Sequence, residues 1–282
     1  MMAIVLGVET PTGRRRRVEM YRQLLSPAYA LPCPVHVALG PLRTDASVGA
    51  WLGDGAATAC RYGDEEARAA VHVLSVVGAL RAFLDGPHEL LLLAEDDAAF
   101  AADIGAKLRA AVATWRATAP SSHVLRLGYL PFAGATDAAS LWPDARASPR
   151  LPPPHAEFAI FLPRTCEYKL VGMQASVLDR VAADALVQTL GTSYADARAA
   201  LDAGPQAPRL YSSGWPVITD HLLHLPQLAA AFVVPPLAIE SRGTPSIFGS
   251  QHAEVLWAVA DRVAPRHADG YFSAPSNAAH TR

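Results

Sequence analysis

The sequence predicts an α/β protein with a mostly parallel central sheet and helices on both faces. Three observations lead there. Short apolar runs alternate with longer segments of helical periodicity, as in βαβ units. The run Leu90 to Ala94 is continuously apolar, the pattern of a strand buried on both faces. Gly86-Pro87 ends the helical segment before it, as a chain reversal requires. The 282 residues, 51% of them hydrophobic, suffice for one large α/β domain or two small ones.

The elements follow in order. Ala3 to Val8 is a short apolar strand, and a basic helix is expected from about Gly13 to Leu25. Val35 to Leu39 reads as a second strand. Residues 40–63, glycine-rich and without clear periodicity, read as a loop. From Asp64 to Leu84 an alanine-rich helix carries Val71, Leu74, Val77 and Leu84 at roughly helical spacing. Its first turn holds Asp64, Glu65 and Glu66, which the helix dipole favours. The Leu90 strand, a helix from Phe100 to Thr118 and a strand from His123 to Leu127 complete the βαβ pattern.

The middle of the chain reads differently. Residues 131–156 contain six prolines and no periodic segment, too long a stretch for a plain connection. Phe158 to Leu162 and Leu170 to Leu178 read as strands, followed by helices from about Asp179 to Leu190 and from Tyr194 to Leu201. Trp215 to Leu223 starts a short helix, Ala230 to Pro235 is a strand, and Gln251 to Val263 is a last helix. A single domain over residues 1–264 with a polar, mobile tail at 265–282 is expected.

Charge and cysteine usage narrow the function classes. A net charge of −2 gives no electrostatic case for nucleic acid or an anionic membrane, so peripheral membrane contact lacks support. Cys33, Cys60 and Cys166 are an odd number without CxxC spacing, indicating neither a disulfide framework nor a zinc site. The N-terminal apolar run is too short for a secretory signal, and no segment reaches the roughly 20 apolar residues that span a bilayer. A cytoplasmic protein is expected.

The chemistry concentrates where the Leu90 strand ends, in Glu95, Asp96 and Asp97. Ligands collect at the carboxyl ends of parallel strands, and three adjacent acids repel one another until a cation joins them. A hard divalent metal with oxygen ligands is the natural candidate. The plainer reading is a solvated turn with an aspartate N-cap for a helix beginning near Ala98.

Several blocks, taken in order, resemble glycosyltransferase family 25, which contains lipopolysaccharide, lipooligosaccharide and collagen galactosyltransferases. The early strand is followed by Arg14 to Arg17; Val71-His72 holds the place of the family's Ser-His; and LLLLAEDDAAF (90–100) corresponds to its acidic motif. SHVLRLGY (122–129), LVGMQASVLDR (170–180), PVITDHLL (216–223) and VVPPLAIESRGTPSIFGS (233–250) resemble its later blocks. The resemblance spans about residues 3–250, and the loops at 40–63 and 131–156 depart from it.

The resemblance implies a GT-A-type, Rossmann-like fold and transfer of a hexose, galactose or glucose, from a UDP-sugar to a glycan or lipid-linked saccharide acceptor with inversion. Mn²⁺ or Mg²⁺ would neutralise the leaving diphosphate. Asp97 is assigned to the metal, with Glu95 and Asp96 on the metal shell or the ribose, and His221 or His252 completing the shell. Arg16 and Ser246 are candidates for the nucleotide. Inversion needs one general base: Asp220 is first choice, Glu240 second. Each has a plainer reading: a capping aspartate, surface histidines, a solvated arginine run. His72 reads equally as a satisfied core histidine, and Arg126 as a structural partner of the acids. Trp142 and Trp215 are candidates for stacking on a ring. An aspartyl-nucleophile phosphatase is a poor match, because the strand-end DxD followed by Thr or Val is missing. A catalytically silent nucleotide-sugar- or glycan-binding relative is the alternative.

Overall fold

The computed structural model describes residues 1–25, 31, 33–53, 55–131, 159–161, 170–171, 174–202, 226–234 and 236–240. In chain order the strands are β1 (Met2–Val8), β2 (Val35–Gly40), β3 (Leu90–Glu95), β4 (Ala98–Phe100), β5 (Val124–Arg126), β6 (Leu130–Pro131), β7 (Ala159–Phe161), β8 (Leu170–Val171), β9 (Ala175–Asp179), β10 (Ala231–Val234) and β11 (Ala238–Glu240). The helices are α1 (Pro11–Leu25), α2 (Ala46–Leu52), α3 (Gly55–Leu84), α4 (Ile104–Thr118), α5 (Arg180–Leu190) and α6 (Tyr194–Asp202).

A seven-stranded sheet, order β2-β1-β3-β9-β5-β10-β7, forms the centre among the described residues. β1 pairs in parallel with β2 and β3, and β5 in parallel with β10. β9 runs antiparallel between β3 and β5, and β7 antiparallel on the outside of β10. The expected mixed α/β architecture with a mostly parallel sheet is therefore present.

Strand alternation divides the core into two layers. Met2, Ile4, Leu6, Leu91, Leu93, Val124, Leu178 and Phe232 face α2, α3, α5 and α6. Ala3, Val5, Leu92, Ala94, Leu125, Val177 and Val233 face Met20 and Leu24 of α1 and the inner side of α4, where Ile104, Leu108, Ala111 and Trp115 are buried. Helices cover both faces, which explains why β1 and β3 read as continuous apolar runs.

Three local expectations are corrected. Within 40–63 the chain is largely helical, because Val48, Trp51 and Leu52 at helical spacing bury one side of α2, and α3 begins at Gly55, not Asp64. The segment after the acids is not a helix start. Ala98–Phe100 instead pairs antiparallel with β11, and α4 begins only at Ile104. Asp103, at φ 57° in the left-handed region that aspartate tolerates better than most residues, turns the chain between the two. The single strand expected over Leu170 to Leu178 is two, since β8 pairs with β6 in a separate sheet. Ala67–Leu84 within α3 is the one stretch among the described residues that is long and apolar enough to cross a membrane by composition; half of it is buried inside the fold and its inner side is core, so the expectation of no clear membrane-spanning segment stands. The elements expected at 215–223 and 251–263, and nearly all of the 131–156 stretch, lie outside the described residues.

Two close approaches fix the ends of the strands on the β1–β2 side. A Cβ on Gly40, the last residue of β2, would overlap Ser75 Oγ of α3. On Gly7, near the end of β1, it would stand 2.8 Å from Arg17 Cδ. Glycine lets α3 and α1 press against the carboxyl ends of these strands.

Candidate active site at the carboxyl edge of the sheet

Glu95 is the last residue of β3, and Asp96 and Asp97 form the turn into β4. Both sides of this turn are tied down. The Glu95 backbone N–H donates to Gln174 O at 3.1 Å, and Ala101 N–H donates to Leu237 O at 2.9 Å. The β4–β11 register sets Glu240 opposite Ala98, the residue after Asp97.

Helix α1 supplies the positive charge. Thr10 Oγ1 accepts from Gly13 N–H at 3.0 Å, and Pro11 suits the first helical turn, so the helix starts directly after β1. Its periodicity turns Arg17 inward over Gly7, where Nη2 contacts Glu9 Oε2 at 2.8 Å. Arg16, one position round, reaches across the strand ends. Its Nη1 lies 3.3 Å from Asp97 Oδ2 and 3.6 Å from Asp96 Oδ1, all three side chains being about nine-tenths buried. On the other side of β3, His72 of α3 places Nε2 3.0 Å from Glu95 Oε1.

The electrostatics favour a further positive partner. Burial, then the charge of Asp97, pushes the Asp96 carboxyl up to about 6, against the opposing pull of Arg16 and Arg17. Asp97 is raised as well, burial outweighing Arg16, a hydrogen bond from its own backbone and the charge of His72. Asp97 Oδ1 is buried without a hydrogen bond from the described residues. One guanidinium thus serves two carboxylates, leaving a buried oxygen atom open to a donor or a cation.

The donor set suits a hard cation in chemistry but not yet in number. Asp96 and Asp97 offer carboxylate oxygens, which Mg²⁺ and Mn²⁺ prefer. Among the described residues no three His, Cys, Asp or Glu side chains gather into a group that could hold a metal. The remaining ligands would come from a bound phosphate or from residues outside the described set.

Of the residues singled out from sequence, Glu95, Asp96, Asp97 and Arg16 are together, and Glu240 is brought near by backbone register. Asp220, His221, Ser246 and His252 lie outside the described residues, as do Trp142 and Trp215. The guanidinium that reaches Asp96 and Asp97 belongs to Arg16. Arg126, considered for that role, is wholly buried on the α3 side, 5.5 Å over the Phe232 ring. Arg17 sits in a run of four identical residues, and only the helical phase separates it from Arg16. His72, singled out from sequence by its place in the Ser-His block, meets Glu95; which acid it would meet carries no signal in the sequence.

No protein-family model matches the chain, and no curated protein does. Solved structures do show likenesses. A glycosyltransferase involved in the glycosylation of the major capsid of PBCV-1 aligns at 12% identity over 90% of this chain and 99% of that one, with TM-score 0.36. Mouse xyloside xylosyltransferase 1 in its apo form aligns at 9% identity over 98% and 94%, with TM-score 0.39. Mannose-1-phosphate geranyltransferase from Thermus thermophilus aligns at 16% identity over 85% and 74%, with TM-score 0.32. Every one of these scores is below 0.5, so the functional reading rests on the site.

Proposed function

We propose that the protein is a glycosyltransferase that moves a hexose, galactose or glucose, from a UDP-sugar to a hydroxyl of a glycan or lipid-linked saccharide, with inversion and with the help of Mn²⁺ or Mg²⁺. One observation carries this reading: a buried pair of carboxylates, Asp96 and Asp97, just past a central parallel strand, with an open Asp97 oxygen and Arg16 alongside. Such a site binds a diphosphate through cations of two kinds, one from the protein and one from solution.

The roles follow from the geometry. Asp97, helped by Asp96 or Glu95, would hold the metal, whose chemistry is to neutralise charge on the departing diphosphate. Arg16, beside both carboxylates, would offer its donors to a phosphate oxygen. His72 helps to fix the orientation of Glu95, which would face a ribose hydroxyl. In the transfer step the acceptor oxygen bonds to the anomeric carbon as the bond to the diphosphate oxygen breaks. The acceptor's proton passes to the general base, Asp220 or, by register beside the acidic turn, Glu240.

A second reading, a silent nucleotide-sugar- or glycan-binding protein, is favoured by the Arg16 contact itself, since a permanent cation already serves the carboxylate pair. One experiment separates the two. The purified protein is assayed for hydrolysis of a panel of UDP-sugars with Mn²⁺ and with chelator, beside Asp97→Ala. Metal-dependent hydrolysis abolished in the variant supports transfer. Nucleotide binding without turnover, and indifferent to chelator, supports the silent binder.

A further inference from the structure

Beyond the acidic turn, a row of polar side chains crosses the α3 face of the sheet in what is otherwise a hydrophobic layer. Ala175 and Val177 of β9 face α4, so the residues alternating with them, Gln174 and Ser176, face α3. Ser176 pairs in register with Leu93 of β3 on one side and Arg126 of β5 on the other. Gln174 stands opposite Glu95, whose backbone N–H it receives at 3.1 Å, and its Cβ limits the space at Gly128 to 3.0 Å. From the α3 helix inward the row therefore runs His72, Glu95, Gln174 and Ser176, with Arg126 behind.

A side-chain oxygen atom of each of two of these residues lacks a hydrogen-bond partner among the described residues. Gln174 is 4% exposed and Ser176 wholly buried, yet Gln174 Oε1 and Ser176 Oγ find no partner among the described residues. Buried polar atoms in native proteins are nearly always paired, and each exception calls for an explanation, such as a catalytic role or a bound water, ion or ligand. Apolar residues would serve better here if the only task were to fill the core.

The chemistry of the row selects its ligand. Gln174 accepts through Oε1 and donates through Nε2, and Ser176 Oγ does either, so the ligand must accept and also bring donors. A carboxylate or phosphate brings none and meets Glu95 with like charge. An ammonium group meets Arg126 and His72. Neighbouring hydroxyls of a neutral sugar ring bring one O–H each and can also accept.

We propose that Gln174 and Ser176, beside the His72–Glu95 pair, form the subsite for the hydroxyls of the transferred hexose, with Gln174 setting which hexose is accepted. The proposal rests on the transfer reading above and deepens it. A sugar seated here lies on the β9 side of Glu95, next to the turn that follows Glu95 and would hold its diphosphate. Recognition of the sugar is then physically separate from recognition of the nucleotide.

That separation gives the test. Full-length Gln174→Leu, Gln174→Glu and Ser176→Ala proteins are compared with the parent for affinity to UDP, affinity to UDP-galactose and UDP-glucose, and turnover on both. UDP affinity is expected to stay within about twofold. The advantage of the preferred UDP-hexose over UDP should fall about tenfold in Gln174→Leu, the loss of roughly one buried hydrogen bond, and discrimination between the two C4 epimers should collapse. Ser176→Ala removes a single oxygen atom and keeps the test valid should Gln174→Leu fail to fold. Variants that keep both the preference and the epimer ratio overturn the subsite while leaving transfer standing. A parent protein that binds no nucleotide sugar overturns both.

Discussion

Asp96 links protonation to stability most directly. Its carboxyl is raised to about 6 from an ordinary 3.8, so between those values the folded protein holds a proton that the unfolded chain has released. The stability this adds is complete below about pH 4 and is lost as pH rises through 6. Asp97 shifts in the same direction. Asp96→Asn, which keeps shape and cannot ionise, should therefore raise the melting temperature at about pH 8 and change it little at about pH 4. Melting curves across that range check it, and an unchanged difference between the two pH values would remove Asp96 as the source. The same proton competes with any added cation, so Mn²⁺ affinity should climb as pH rises through about 6.

At the level of elements, the junction between α3 and β3 is held by one side chain. Arg180, the first residue of α5, donates through Nη2 to Leu84 O and through Nη1 to Gly86 O at 2.9 Å and His88 O at 3.2 Å. Carbonyls at a helix C-terminus have no partner within the helix, and a guanidinium there also suits the dipole. Arg180→Ala should cost about 2 kcal/mol, with Arg180→Lys recovering part of it, because three carbonyls lose a charged donor. Denaturant midpoints at constant slope measure this, and UDP affinity should not move, since the junction sits at the end of β3 away from the acids. Legibility differs among the elements for physical reasons. Leu90–Ala94, buried on both faces, announces β3, and the acids after it announce the site. The helix at 46–52 escapes a sequence reading because glycines on either side mask a short buried stripe, Val48, Trp51 and Leu52. β4 reads as the start of a helix, since three small or aromatic residues carry no period and only distant β11 makes them a strand. Gln174 and Ser176 look like ordinary strand residues; their place beside Glu95 and Arg126 comes from register with β3 and β5, which local sequence does not encode.

For the whole molecule, Arg16 joins α1 to the turn after β3, and removing it leaves two buried carboxylates without their nearest cation. Arg16→Ala should lower stability more at about pH 8 than at about pH 5, where protonation relieves the repulsion. Millimolar Mn²⁺ should restore part of the loss, because a ligand that binds only the folded state stabilises it. Thermal melts at both pH values with and without metal test this; equal losses at the two, unaffected by metal, would make Arg16 a packing residue. The sheet order carries a different consequence. β9 lies between β3 and β5, and β10 on the far side of β5, yet both come later in the chain than the strands they join. As the chain leaves the ribosome, β1, β2 and β3 can pair at once with α1 to α3 around them. β5 then emerges with neither neighbour made, and the outer side of β3 stays open until Ala175 appears. The N-terminal portion is thus the natural first folding unit, and the interval before β9 is when an apolar strand edge is most exposed to other chains.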